Sequence, residues 1–227
     1  MGVRGFGAAL VDLVLPGDCA GCGDPAHPWC PRCLAGLGEP SWPVVPGMPD
    51  VLAVGRYSGP LRTALLRYKE RGRRDLAAPL AALLGGPLDE ILPPPPAVTW
   101  LLPAPSRPAA ARSRGGDHVA RLCRALAADR PEVRVARPLR LARGTLDSVG
   151  LDAAQRAQNL AGRLRVRAAG LPPAGAATVL VDDVVTTGAT LRACRSTLAS
   201  AGVRVDVGLV LCDATRRTGV RVAPPIG

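Results

Sequence analysis

Between residues 178 and 190 the chain reads Thr-Val-Leu-Val-Asp-Asp-Val-Val-Thr-Thr-Gly-Ala-Thr. An apolar run with no polar alternation needs cover on both faces, and a strand of that kind belongs inside a parallel sheet wrapped by helices. The flanking sequence agrees. Segments compatible with strands recur at 51–57, 98–102, 134–139 and 203–211. Between them lie helical patterns at 59–71, where Leu61, Leu65, Leu66 and Tyr68 gather on or near one side, and at 117–128, 152–164 and 190–201. A further helix is expected from a cap at Asp75 towards Ile91, stopped by Pro93, Pro94, Pro95 and Pro96. Gly202 stands where a left-handed residue closes a helix. The alternation predicts an α/β domain with a parallel sheet and helices on both faces. Ligands of such sheets bind beyond the carboxyl ends of the strands.

The same stretch carries the candidate chemistry. Asp182 and Asp183 are acceptors for a vicinal diol, or outer ligands for a hydrated Mg²⁺. The helix that follows offers unpaired backbone N–H groups and the positive end of its dipole, which suit a phosphate. Thr186, Thr187 and Thr190 add hydroxyl donors, and Gly188 allows close approach of the backbone. A phosphorylated ribose would satisfy all of these groups. Other phosphate motifs are absent: Lys69 is followed by Glu70 rather than Ser or Thr, and no G-x-G-x-x-G follows a strand. His27 and His118 stand in neither an H-E-x-x-H nor a G-x-S-x-G context, which removes zinc-protease and α/β-hydrolase chemistry.

Ahead of this domain, Cys19 and Cys22 form one C-x-x-C pair and Cys30 and Cys33 a second. Two such knuckles supply the four tetrahedral thiolates that zinc prefers, in a closed and therefore structural site. His27 lies between them and could replace one ligand, but the four cysteines are the favoured set. Cys123, Cys194 and Cys212 fall on apolar faces and read as core filler. Seven cysteines, an odd number, argue for reduced thiols and a cytoplasmic location. The apolar stretch 7–15 is short and carries Asp12, so a short amphipathic helix is expected there rather than a leader or a membrane span. The organisation expected is a helix and cysteine module over 1–38, a Pro-rich linker over 39–50, the α/β domain over 51–214 and a loose tail over 215–227.

Charge adds one open question. The chain has 227 residues and a net charge of +11, and its one lysine is Lys69. The preference for arginine looks like genome composition. Lys69, Arg71, Arg73 and Arg74 end a predicted helix, where cations suit the dipole without any ligand, yet they could also meet a polyanion.

The 178–190 stretch resembles the phosphoribosyl-pyrophosphate (PRPP) loop of type I phosphoribosyltransferases. The whole chain is similar to the ComF/GntX branch of that superfamily. The likeness rests on the paired cysteine knuckles, Tyr57 with Leu61, Arg62 and Lys69, the 102–106 turn Leu-Pro-Ala-Pro-Ser, Arg114 with Gly115, and Arg156 with Asn159. It implies a phosphoribosyltransferase-like fold behind a zinc ribbon or knuckle. It also implies that Asp182 and Asp183 hold the ribose hydroxyls, and that Thr186, Thr187, Gly188, Ala189 and Thr190 cradle the 5′-phosphate. Pro103, Ala104, Pro105 and Ser106 would then form the pyrophosphate turn, with Arg112 and Arg114 neutralising that group and 143–156 covering the site. The activity implied is Mg²⁺-dependent phosphoribosyl transfer involving a nitrogenous base. The other role implied is an accessory one in DNA uptake or processing, with single-stranded DNA or a DNA-handling helicase as partner. Two departures fall on the acceptor side: Gly116, Asp117 and His118 replace a common Phe-Asn-Gln, and Thr145 is followed at the Thr-x-x-Gln spacing by Ser148.

Overall fold

The computed structural model describes residues 18–25, 27–94, 97–106, 111, 116–142, 162–215 and 220–221. The expected helix at 7–15, Arg112, Arg114 and the 143–156 cover lie outside them. So does most of the helix expected over 152–164.

Five parallel strands form the sheet: β2 (Val51–Arg56), β8 (Val207–Asp213), β7 (Ala177–Val185), β3 (Thr99–Pro103) and β4 (Val133–Val135), in that order across it. The α/β expectation is met. β7 sits at the centre, and successive residues face opposite cores. Val179 and Val181 pack with α2 (Gly59–Glu70), α3 (Ala77–Ile91) and α4 (His118–Ala127), through Leu65, Leu84 and Leu122 among others. Leu180 points the other way, to Leu191, Cys194 and Leu198 of α5 (Ala189–Ala199). Period-two alternation between two buried faces is what an uninterrupted apolar run permits and a half-exposed strand does not.

The chain order sets the site. From β3 the chain crosses through α4 to β4 on one side, whereas from β7 it crosses through α5 to β8 on the other. Strand direction of travel therefore reverses between β3 and β7, and the crevice at their carboxyl ends is the topological switch point where open α/β sheets bind ligands. β3 stops at Pro103, paired with Val181, while β7 continues to Val185. The extra length carries Asp182 and Asp183 past the end of their neighbour.

Several boundaries differ from expectation for physical reasons. Asp75 does not cap α3; its carboxylate takes the Arg73 guanidinium at 2.8–3.0 Å, and Arg74–Leu76 winds as a 3₁₀ turn leading into the helix. Leu164 is not the end of a helix. It begins β6 (Leu164–Val166), antiparallel to β5 (Leu139–Leu141), so β5 belongs to a separate two-stranded sheet rather than extending β4. The linker is also folded. β1 (Trp42–Pro43) pairs with β9 (Val220–Arg221), and Ser41 bridges Ala53, so a two-residue strand of the expected tail lies against the expected linker. Among the described residues, no helix is long and apolar enough to cross a membrane.

Candidate functional site

Two groups of side chains carry chemistry, and one helix touches both. In the cysteine module, Gly23 at φ +85° turns the first knuckle, and its N–H donates to the Cys19 carbonyl at 2.8 Å. Cys30 precedes the short helix α1 (Pro31–Ala35), which carries Cys33 inward. The four Sγ atoms all lie within 4.8 Å of one another, and His27 is exposed and not among them. Burial works to raise the Cys19 thiol, but backbone N–H groups of Cys22, Cys30 and Gly21 outweigh it and bring the pKa down to about 6. Cys33 is pushed strongly upward, first by burial and then by the neighbouring sulfurs. Thiols crowded in this way resist ionising together unless a cation sits among them, so the donor set fits a tetrahedral dication.

The module is fastened to α2. Arg67 donates to the Asp18 carboxylate at 3.1 Å and to the Cys19 carbonyl at 3.0 Å, and Arg73 donates to Asp18 at 2.8 Å. Any side chain at Gly21 would lie 2.7 Å from the Pro60 ring and 2.8 Å from the Cys33 sulfur. This changes the reading of the basic run: Arg73 is committed to Asp18 and Asp75, and Lys69 turns inward. Of the four cations, Arg71 and Arg74 are exposed.

At the switch point, the 103–106 turn lies beside the end of β7, with the Ala104 N–H donating to the Val181 carbonyl at 2.8 Å. Asp182 and Asp183 are both buried. Asp182 Oδ1 accepts the Asp183 N–H at 2.9 Å. Asp183 Oδ2 meets His118 Nε2 and, at 2.8 Å, Lys69 Nζ. On its other side the His118 ring reaches Ser106 Oγ through Nδ1 at 3.0 Å. Asp117 caps α4 through Val119 and Ala120, and also holds the Ser106 N–H at 3.0 Å. A continuous polar chain thus runs from the turn after β3, through the first residue of α4, to the carboxylate on β7 and the end of α2.

Electrostatics divide the two aspartates. Burial first, and the Asp183 charge second, push Asp182 up to about 8. Asp183 feels the same burial, but the bond from His118 and the Lys69 charge overcome it and hold its carboxyl down to about 2. The two carboxyls are thus driven in opposite directions, Asp182 towards its protonated form and Asp183 towards its anion.

Past Val185 the chain turns at Thr186 and Thr187, both exposed, and enters α5. Gly188 is the N-cap at φ +71°, and no side chain caps the helix. A Cβ at Gly188 would fall 2.1 Å from Val45 Cγ1, so Gly is needed for space as well as for φ. Ala189 and Thr190 form the first helical positions. Arg192 donates to the Thr187 carbonyl at 2.7 Å, and Arg195 to the Gly47 carbonyl at 2.8 Å, which binds the Pro-rich segment over the loop.

Sequence reasoning placed Asp182, Asp183, Gly188 and Ser106, and the fold brings them to one crevice. It left Lys69 in the basic run rather than on Asp183, and did not bring His118 or Val45 to the loop. Lys69 could have been found, because Leu61, Leu65 and Lys69 are spaced four apart and share the buried side of α2. His118 and Val45 carry no local signal; only the fold brings them to the loop.

No protein-family model matches the chain, and no curated protein does. Among solved structures, a Trypanosoma cruzi hypoxanthine phosphoribosyl transferase is 20% identical over 66% of this chain and 70% of that one, with a TM-score of 0.35. A point mutant of the Trypanosoma cruzi enzyme in a ternary substrates complex is 20% identical over 68% and 73%, also at 0.35. An HPRT carrying an asparagine in place of an invariant aspartic acid is 19% identical over 64% and 67%, at 0.34. Overlaps this partial carry no argument about fold or function.

Proposed function

We propose that the chain binds a phosphorylated ribose, PRPP or ribose 5-phosphate, in the crevice between β3 and β7, as a member of the phosphoribosyltransferase-like proteins it resembles. One observation carries this reading. A pair of buried carboxyl groups ends β7 at the switch point, Asp182 pushed towards its acid form and Asp183 towards its anion, and a helix N-terminus without a side-chain cap follows directly after. A vicinal diol takes one donor and one acceptor at each hydroxyl, which suits the pair; a 5′-phosphate suits Thr186, Thr187 and the Gly188 to Thr190 backbone. The 103–106 turn, with Arg112 and Arg114 further along, is assigned to the pyrophosphate. Mg²⁺, held with PRPP through Asp182 and Asp183 by way of water, would supply charge neutralisation for the departing pyrophosphate. The protein's part is to orient the sugar, hold Asp183 ionised and keep water from C1.

The reaction this arrangement serves is phosphoribosyl transfer to or from a nitrogenous base, inside a reducing compartment where the four cysteines hold a structural zinc. Incubating purified protein with PRPP, Mg²⁺ and a panel of bases, and following pyrophosphate release, tests it. Base-dependent release establishes transfer. Binding without release leaves the non-catalytic role in DNA uptake that the ComF likeness implies. That second reading is favoured by the net charge of +11 but loses Lys69 and Arg73 from its basic run.

A further inference from the structure

Two left-handed glycines, far apart in the chain, make room for one arginine. Gly188 stands at φ +71° in the loop and Gly47 at φ +77° in the Pro-rich segment. A Cβ on Gly188 would lie 3.4 Å from Arg192 Nη1, and one on Gly47 would lie 3.1 Å from Arg192 Cδ. The half-buried Arg192 side chain therefore runs between the two backbones. Helical side chains lean towards the N-terminus, so from the start of α5 it reaches back over the cap. Its Nη1 donates to the Thr187 carbonyl at 2.7 Å, and the Pro46 carbonyl lies 3.5 Å from the same nitrogen.

The helix itself does not hold the Thr187 carbonyl. The α5 ladder begins with the Arg192 N–H donating to the Gly188 carbonyl at 3.0 Å, so the carbonyl before it lies outside the helix. It shares a peptide unit with the Gly188 N–H, and in a planar trans peptide the two point in opposite directions. Turning that unit over changes ψ of Thr187 and φ of Gly188, and glycine takes positive and negative φ about equally well. The loop's own backbone thus leaves both orientations open. With the carbonyl turned to Arg192 and the Pro-rich segment, the Gly188 N–H faces away from both. Among the described residues, no backbone acceptor takes that N–H.

We infer that Arg192 is a positioning residue of the phosphate loop, holding the Thr187–Gly188 peptide so that the Gly188 N–H faces the 5′-phosphate. The Pro-rich segment is the wall behind the arginine. The inference rests on the ribose-phosphate reading given above. Without the guanidinium the peptide is free to turn over, and affinity falls with the fraction of loops that keep the binding orientation.

The test uses the full-length protein, with ribose 5-phosphate as the probe. Labelling threonine with ¹³C′ and glycine with ¹⁵N leaves two doubly labelled peptides in this sequence, 187–188 and 218–219, and Thr218→Ser identifies the second. The 187–188 signal of the wild type should move on saturation, a readout that needs no variant at the site. In Arg192→Met the free protein should show that signal displaced. Calorimetry on the same variant should show binding weaker by roughly tenfold, as for a lost hydrogen bond from a charged group. Asp183→Asn serves as the control for the sugar end of the site. Wild-type affinity in Arg192→Met, or a 187–188 signal that the ligand leaves unmoved, overturns the role of Arg192; weakened binding in Asp183→Asn then keeps the site standing. Weaker binding in Arg192→Met with the free signal undisplaced puts the arginine on the ligand and also overturns the positioning role. No binding by the wild type, or full binding by Asp183→Asn, removes the site itself and this inference with it.

Discussion

The cysteine module and the switch-point crevice are both polar sites inside a small protein, but they are assembled in opposite ways. The four thiols come from one short stretch between 19 and 33, and their geometry is set by two local turns. The polar chain around Asp183 draws on residues 69, 106, 118 and 183, brought together only when α2, β3, α4 and β7 have packed. On the reading proposed above, the first site would draw its fold from a ligand, whereas the second would need the fold before it could take one. Each should therefore fail differently.

The largest effect is expected from removing zinc. Structural zinc contributes about 10 kcal/mol or more of apparent binding energy in small modules, more than so few buried side chains can supply. Chelation, or Cys19→Ser, should abolish amide protection over 18–37 in hydrogen exchange and leave β7 and β8 protected. Equal loss in both regions would show that the two sites share one folding unit, and metal analysis should return close to one zinc per chain.

Next comes Gly188→Ala. A left-handed alanine costs about 1–2 kcal/mol, and its Cβ would overlap Val45. Chemical denaturation should show a loss of about 2–3 kcal/mol. Val45→Ala added to it should recover the steric part and leave the backbone part. Failure of that recovery would mean the Pro-rich segment does not press on the loop.

A smaller, pH-dependent effect belongs to Asp182. Unfolded, its carboxyl ionises near 3.8; folded, it keeps its proton to about 8. The folded state binds more protons between those values, so this group's stabilisation is complete below the lower one and is lost as pH rises through the upper one. Asparagine cannot ionise. The melting temperature of Asp182→Asn should thus rise relative to wild type as the pH is raised from 5 to 9. A constant difference across that range would contradict the assignment.

The smallest effect is Asp18→Asn. Its carboxylate is partly buried, which works against ionisation, but Arg73 and Arg67 hold it below the usual range. Solvent screening limits pairs of this kind to about 1 kcal/mol or less, so the variant should loosen the module against α2 without unfolding either part. Exchange at α2 amides reads this directly.

How much of this the sequence exposed follows from the same contrast. The cysteine knuckles were legible because their ligands are local. β7 and its two aspartates were legible because a buried parallel strand is an unbroken apolar run. The inward turn of Lys69 was hidden by its neighbours: Arg71, Arg73 and Arg74 made it look like the start of a solvated run, although its spacing from Leu65 pointed inward. His118 was set aside for want of a motif, since its partners Ser106 and Asp183 are 12 and 65 residues away. The Asp75 cap failed because a nearby guanidinium competed for the same carboxylate. The linker looked free because prolines interrupt helices, yet extended backbone is also what lets it pair with β9 and cover Gly188.

The central claim is that the 182–190 loop binds a phosphorylated ribose. Isothermal titration of ribose 5-phosphate into wild type and Asp183→Asn, with metal content held equal, addresses it most directly. Saturable one-to-one binding that weakens roughly tenfold or more in the variant, with both proteins melting cooperatively, is the result predicted. Equal affinity in the two proteins would contradict it.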